Sequence, residues 1–251
     1  MAEAEVRRLL PEPGSTTVAA EVAGYDFVGA AHDDRPYTVT NFALTVDGRA
    51  TISGRSGPIG DATDTAMLVG LRTRVDALMI GAGTMRAERY GRVIGDPHKR
   101  ARRERDGLPH DPLMVIVSAR LDLPWDAELF TAGGGRVLIF TSSEAEAPET
   151  ATPVRVVRHE GGVDLTEAMR HLRTERGIRG LLCEGGPRLH AQLLAAGLVD
   201  ELFVTTAPKL AGGTGPGLAE GLSAGVRPLE LVSLLAVGGE LFHRYRAASS
   251  A

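Results

Sequence analysis

Val75-Asp76-Ala77-Leu78-Met79-Ile80-Gly81-Ala82-Gly83-Thr84-Met85-Arg86-Ala87-Glu88 decides how this chain folds. Val75 to Ile80 is a short apolar run, which predicts a strand buried on both faces. Thr84 to Arg89 begins a helix. Gly81 and Gly83 lie between the two. Glycine lets the backbone approach an anion closely, and the free N–H groups of a helix start donate to it. Thr84 adds a hydroxyl. Leu182-Cys183-Glu184-Gly185-Gly186-Pro187 repeats the arrangement. Gly180 to Cys183 predicts a strand and Pro187 to Ala196 a helix, with Pro187 in a first turn that needs no N–H.

The pattern extends outward from these turns. Tyr37 to Leu44 reads as a strand and Asp61 to Arg72 as a helix with Asp61 at its N-cap. Leu113 to Val117, Arg136 to Thr141, Val154 to Val157 and Glu201 to Thr206 are further strands. Asp164 to Glu175 is an amphipathic helix closed by Gly177. Alternating strands and helices predict an α/β fold with a mostly parallel central sheet flanked by helices. Leu229 to Val237, Gly238-Gly239 and Glu240 to Arg246 predict an antiparallel hairpin at one edge of that sheet.

Residues 36–251 are read as one domain and residues 1–35 as a partly ordered arm. Glu3 to Leu10 is expected to form a short helix ended by Pro11, and Gly14 to Asp34 an extended arm. Gly91 to Pro112 reads as a charged loop. Its cationic run, His98 to Arg105, is expected to be solvated, with a phosphate or regulatory role as the alternative.

A net charge of -4 offers no basic field for nucleic acid. No apolar run approaches the ~20 residues of a membrane span. Cys183 has no partner for a disulfide, so a reducing, cytoplasmic setting is expected. The seven histidines are scattered, so no metal site is predicted.

A dinucleotide fingerprint fails here, because the third glycine would fall at Arg86. No Gly-Lys-Ser/Thr phosphate loop occurs. A dinucleotide would therefore be held by two short turns. Glu184 is a candidate for the substrate or for bracing its own turn. Arg72 suits a phosphate or the end of its helix, and Arg92 is a second phosphate candidate. Asp61 and Asp64 have capping-box spacing. Ser56 and Gly57 suit a mobile flap or a plain surface loop. His190 reads as structural and Cys183 as inert.

Taken in order, Asn41 to Arg49, Ser53 to Gly57, Leu71 to Glu88, Leu182 to Leu202 and Ala207 to Gly213 resemble the reductase domain of riboflavin biosynthesis, with its dihydrofolate-reductase-like fold. The H-x-E and P-C-x-x-C pair of a zinc deaminase is absent, so the resemblance implies a stand-alone pyrimidine reductase. It implies NADPH as cofactor, touching Gly81, Ala82, Gly83, Thr84, Glu88, Ser118, Gly185, Gly186, Pro187, Arg188 and Leu189. It implies that Asn41, Ser56 and Arg72 face a ribosylamino-pyrimidine 5′-phosphate. Arg92 joins them as the second phosphate candidate, and Glu184 and Asp64 are the catalytic candidates. A homodimer is implied as well. Pro58 stands where some members carry a cofactor-contacting Trp, and Asn41 where many carry Lys. Two other functions stay open: a dihydrofolate or pteridine reductase on the same fold, and a non-catalytic dinucleotide-binding protein.

Overall fold

The computed structural model describes residues 5–247. The predicted strands form as β3 (Tyr37–Thr45), β4 (Ala77–Gly81), β5 (Leu113–Val117), β6 (Val137–Thr141), β7 (Val154–Arg158), β8 (Gly180–Cys183) and β9 (Glu201–Ala207). The hairpin is β10 (Leu229–Val237) and β11 (Glu240–Ala247). The helices are α2 (Ala62–Arg72), α3 (Ala82–Glu88), α4 (Pro97–Arg105), α5 (Glu128–Thr131), α6 (Leu165–Thr174) and α7 (Pro187–Ala195). Asp61 caps α2 with its side chain, as its position predicts, and Asp164 does the same for α6.

Three readings are corrected. Glu5–Leu10 is a strand, β1, rather than a helix; residues 3 and 4 lie outside the described residues. The arm after it carries β2 (Gly14–Thr17) and a short helix, α1 (Val18–Ala23). The loop at 91–112 contains α4, opened by Asp96 and Pro97. Its Arg103 is fully buried, donating to the carbonyls of Arg72, Val75 and Pro109. A charged run can hide one buried cation when free carbonyls at a helix end surround it.

All strands join one sheet in the order β2-β1-β10-β11-β9-β3-β8-β4-β5-β6-β7. From β9 to β7 neighbours run parallel; from β2 to β9 they run antiparallel. The hairpin therefore lies inside the sheet, covered at its outer side by β1. Side chains alternate across the strands. Leu78, Ile80 and Leu182 meet Met67 and Leu71 of α2 on one face. Met79, Leu181 and Cys183 join Met169, Leu189 and Leu193 on the other. Hence α2 covers the face from which Glu184 projects, one step beyond Cys183.

Candidate active site

The two glycine turns are neighbours. Met79 pairs with Cys183, so β4 and β8 end side by side. The Gly81 N–H donates to the Gly185 carbonyl at 3.0 Å, and the Glu184 N–H to that of Met79 at 3.0 Å. Gly81 starts α3 and Gly186 starts α7, neither with a side-chain cap. A Cβ on Gly186 would stand 3.0 Å from Thr84 Oγ1, and one on Gly81 3.8 Å from the Gly186 nitrogen. Gly185 has φ +109, which favours glycine. Ala82, Gly83 and Thr84 form the first turn of α3, while Pro187, Arg188 and Leu189 open α7. Ser118 follows β5 on the same rim, since Val117 pairs with Gly81. This is a backbone cradle that larger side chains would fill, and it fits the phosphates and ribose of a dinucleotide.

Beside it, Glu184 and Arg72, each a candidate for a ligand or for a bracing role, meet each other. Arg72 Nε and Nη2 donate to Glu184 Oε1 and Oε2 at 2.6 and 2.7 Å. Tyr90 Oη donates to Oε2 at 3.0 Å, and Arg72 Nη1 to the Val93 carbonyl. The Glu184 side chain is 3% exposed. Burial, then the charge of Glu184, pushes the Tyr90 hydroxyl pKa well above its usual value, so it stays a donor. No sequence signal singled out Tyr90.

Asn41 lies on β3 between β8 and β9, nearly buried and on the α2 face. Asp64, in the first turn of α2, is half-buried, packs against Gly60 and lies beside Thr205 of β9. Burial, then the charge of Asp61, raises its pKa, with Thr205 and Lys209 opposing. The remaining flap residue, Ser56, donates its N–H and Oγ–H to Glu88 Oε1 at 3.2 and 3.0 Å. Lys209 holds the other side of the flap through the Pro58 and Ile59 carbonyls. Residues expected on substrate and cofactor sides thus latch one loop.

Arg92 is placed elsewhere. It stands 3.5 Å from Asp111, in a cleft of about 230 Å³ walled by Glu128 and Gly133 to Arg136. Those segments precede β5 and β6, on the rim opposite the glycine turns. Arg188 pairs with Glu220 at the surface. His190 is buried against Phe42, and burial lowers its pKa. Cys183 is buried, its thiol raised to about 12 by burial. Among the described residues no group of three or more His, Cys, Asp or Glu is placed to hold a metal ion. No helix among them is long and apolar enough to cross a membrane.

Known proteins are similar to this chain over most of its length. A crystal structure of a pyrimidine reductase-like protein from Corynebacterium diphtheriae superposes with a TM-score of 0.78 at 25% identity, covering 94% of this chain and 100% of that one. A 2,5-diamino-6-ribosylamino-4(3H)-pyrimidinone 5′-phosphate reductase of Methanothermobacter thermautotrophicus is 33% identical over 189 residues, 71% of this chain and 81% of the relative. The protein of the same name from Archaeoglobus fulgidus is 30% identical over 184 residues, covering 71% and 83%. The RibD C-terminal domain model matches residues 36–242, a span that takes in both glycine turns, Arg72 and Glu184. With the fold and the length of match in agreement, this chain belongs to the RibD C-terminal domain family.

Proposed function

We propose that this protein is a pyrimidine reductase of riboflavin biosynthesis, reducing the ribosyl group of a ribosylamino-pyrimidine 5′-phosphate to ribityl with NADPH. The observation that carries this is the joined pair of backbone turns, linked by the Gly81–Gly185 bond, with the Arg72–Glu184–Tyr90 cluster beside it. The named activities of the two archaeal relatives support the substrate class.

NADPH supplies a hydride when bound. The turns Gly81 to Thr84 and Gly185 to Leu189, with Ser118, would hold it. Glu88 would serve it through the flap that it bonds at Ser56. Glu184 is a fixed acceptor: guanidinium and phenol supply three donors, two of them to Oε2, which leaves a lone-pair site on Oε1 for a sugar hydroxyl. Arg72 and Tyr90 fix that carboxylate in one orientation, which is how a site achieves near-attack alignment of about 3–3.5 Å. Asn41 offers both a donor and an acceptor to the edge of a pyrimidine. Opening of the sugar ring gives an imine, whose carbon C1′ takes the hydride and whose nitrogen must take a proton. Asp64, half-buried and biased toward its neutral form, is the group suited to give it.

The test is turnover. Purified protein is expected to consume NADPH absorbance with the ribosylamino-pyrimidine phosphate and not with dihydrofolate. Turnover of dihydrofolate alone would move the assignment to a pteridine reductase. Tight NADPH binding with neither turned over would leave a binding protein.

A further inference from the structure

Between β9 and β10 the chain does not turn back directly but runs through residues 208–228. Residues 209–220 of that connection are hydrogen-bonded at successive stations. First, the Lys209 ammonium donates to the Pro58 and Ile59 carbonyls of the flap at 2.9 and 2.7 Å. Next, the carboxylate of Asp47 takes the N–H groups of Ala211 and Gly212 at 3.1 and 2.8 Å, one on each oxygen. Arg49 then donates to the Gly215 carbonyl and the Ala50 N–H to that of Pro216, both at 2.8 Å. Last, the chain reaches the first turn of α7. There His190 Nδ1 donates to the Leu218 carbonyl at 3.0 Å, and the Glu220 N–H to the Pro187 carbonyl at 3.2 Å. The Glu220 carboxylate also pairs with Arg188.

Asp47 and His190 have no place in the scheme above. Asp47 follows β3, and its hydrogen bonds, that of the Thr45 hydroxyl foremost, hold its carboxyl down at about 2, so it stays an anion. A carbonyl only accepts, so His190 carries its hydrogen on Nδ1. Burial disfavours the cation of this ring and keeps that neutral form. The flap is tied at Ser56 to Glu88, the last residue of α3. Through Lys209 and residues 209–220 it is tied to the start of α7. These are the two helices that open at the glycine turns, so the flap is moored to both walls of the cradle. Ordering a segment costs conformational entropy, and a segment already steadied at one end costs less to order at the other.

We propose that residues 209–220 form a strap that couples the flap to the nucleotide cradle, with Asp47 and His190 as its positioning residues. A dinucleotide phosphate that takes the N–H groups at the head of α7 fixes Pro187 and Arg188. That steadies the strap through Glu220 and Leu218 and lowers the cost of ordering the flap on Lys209. Binding of the cofactor thereby prepares the flap for the pyrimidine. By linkage, the pyrimidine tightens the cofactor by the same factor. The coupling to ligands rests on the reductase reading; the strap itself does not.

The experiment is hydrogen–deuterium exchange followed by mass spectrometry, on the full chain with and without saturating NADP+. It compares the wild type with His190→Ala and with His190→Asn, whose amide keeps an N–H donor. In the wild type, NADP+ should slow exchange at residues 53–60 by about fivefold or more. His190→Ala should bind NADP+ yet lose that protection, and His190→Asn should regain it. Asp47→Ala cuts the strap at the surface and should lose the protection as well, which keeps the test open if His190→Ala fails to fold. A wild-type flap that ignores bound NADP+, or full protection in either alanine variant, overturns the coupling. If the wild type binds no NADP+, the nucleotide reading fails instead, and the strap is judged without ligand. His190→Ala and Asp47→Ala should then quicken exchange at residues 56–59 while β5 keeps its rate. Unchanged flap rates, or equal quickening in β5, would make these bonds merely structural and overturn the strap.

Discussion

Arg72 and Glu184 lie 112 residues apart in the chain and meet through two parallel N–H to oxygen bonds of 2.6 and 2.7 Å. Both side chains are mostly buried, so each is the other's main counter-charge. Removing one partner of a buried pair leaves a desolvated charge, at a cost of about 3 kcal/mol or more. Arg72→Ala is expected to lower the unfolding free energy by about that amount in urea titrations. Lysine lacks the planar fork, so Arg72→Lys should restore only part of it. A loss below about 0.5 kcal/mol would mean that water, not Arg72, solvates Glu184.

Tyr90→Phe removes the third donor to Glu184 and little else. Hydrogen bonds to charged groups contribute about 1.5–3 kcal/mol, so kcat should fall roughly tenfold or more. NADPH affinity, measured by fluorescence titration, should stay unchanged. Since the phenol remains protonated, the deficit should be constant from about pH 6 to about pH 9. Equal losses in kcat and cofactor affinity would place Tyr90 in the nucleotide cradle instead.

Gly186→Ala places a methyl 3.0 Å from Thr84 Oγ1, in the space between the turns. NADPH binding should weaken by about tenfold with alanine and by at least about a hundredfold with valine. Wild-type affinity in Gly186→Val would remove this turn from the nucleotide site.

Arg103→Met tests the buried cation of α4. The variant keeps apolar bulk but orphans the carbonyls of Arg72, Val75 and Pro109. An expected loss of about 3 kcal/mol corresponds to a fall of roughly 10 °C in Tm. Calorimetry showing no change would return this residue to the solvated class that its neighbours occupy.

Glu240, the first residue of β11, predicts how stability depends on pH. Burial, then the charges of Asp61 and Asp64, raises its folded pKa to about 7, above its ordinary 4.5. The native state then holds a proton that the unfolded chain has released, and this favours folding at low pH. The advantage fades as pH rises from about 4.5 to about 7, and the raised Asp64 adds to the same slope. Thermal denaturation across that window should show Tm falling in the wild type and falling less in Glu240→Gln. Parallel curves would show that Glu240 ionises normally.

Local chemistry was readable where it depends on neighbours in sequence. Buried parallel strands such as Leu113–Val117 announce themselves as apolar runs, and Asp61 and Asp164 mark helix starts by their own side chains. The N-terminal strand was misread because Glu5–Leu10 alternates weakly and gains its identity from β10, more than 220 positions away. The charge run at 97–105 hid Arg103, whose partners lie at the end of another helix. In the site, both glycine turns were legible, since the need for bare backbone shows directly as glycine. That Glu184 would be taken by Arg72 and Tyr90, that Ser56 would bond Glu88, and that Arg92 would face the other rim are matters of assembly. So is Glu240, which reaches α2 only once the hairpin has docked.

The bond from Gly81 to Gly185 means that the two walls of the crevice are stitched together by the sheet itself before any ligand arrives. On the proposed function, a nucleotide entering here would meet a finished mould rather than a pair of jaws. What remains to move is the flap on its Ser56 and Lys209 ties, so the speed of the enzyme would be governed by untying that loop and not by reshaping the floor beneath it.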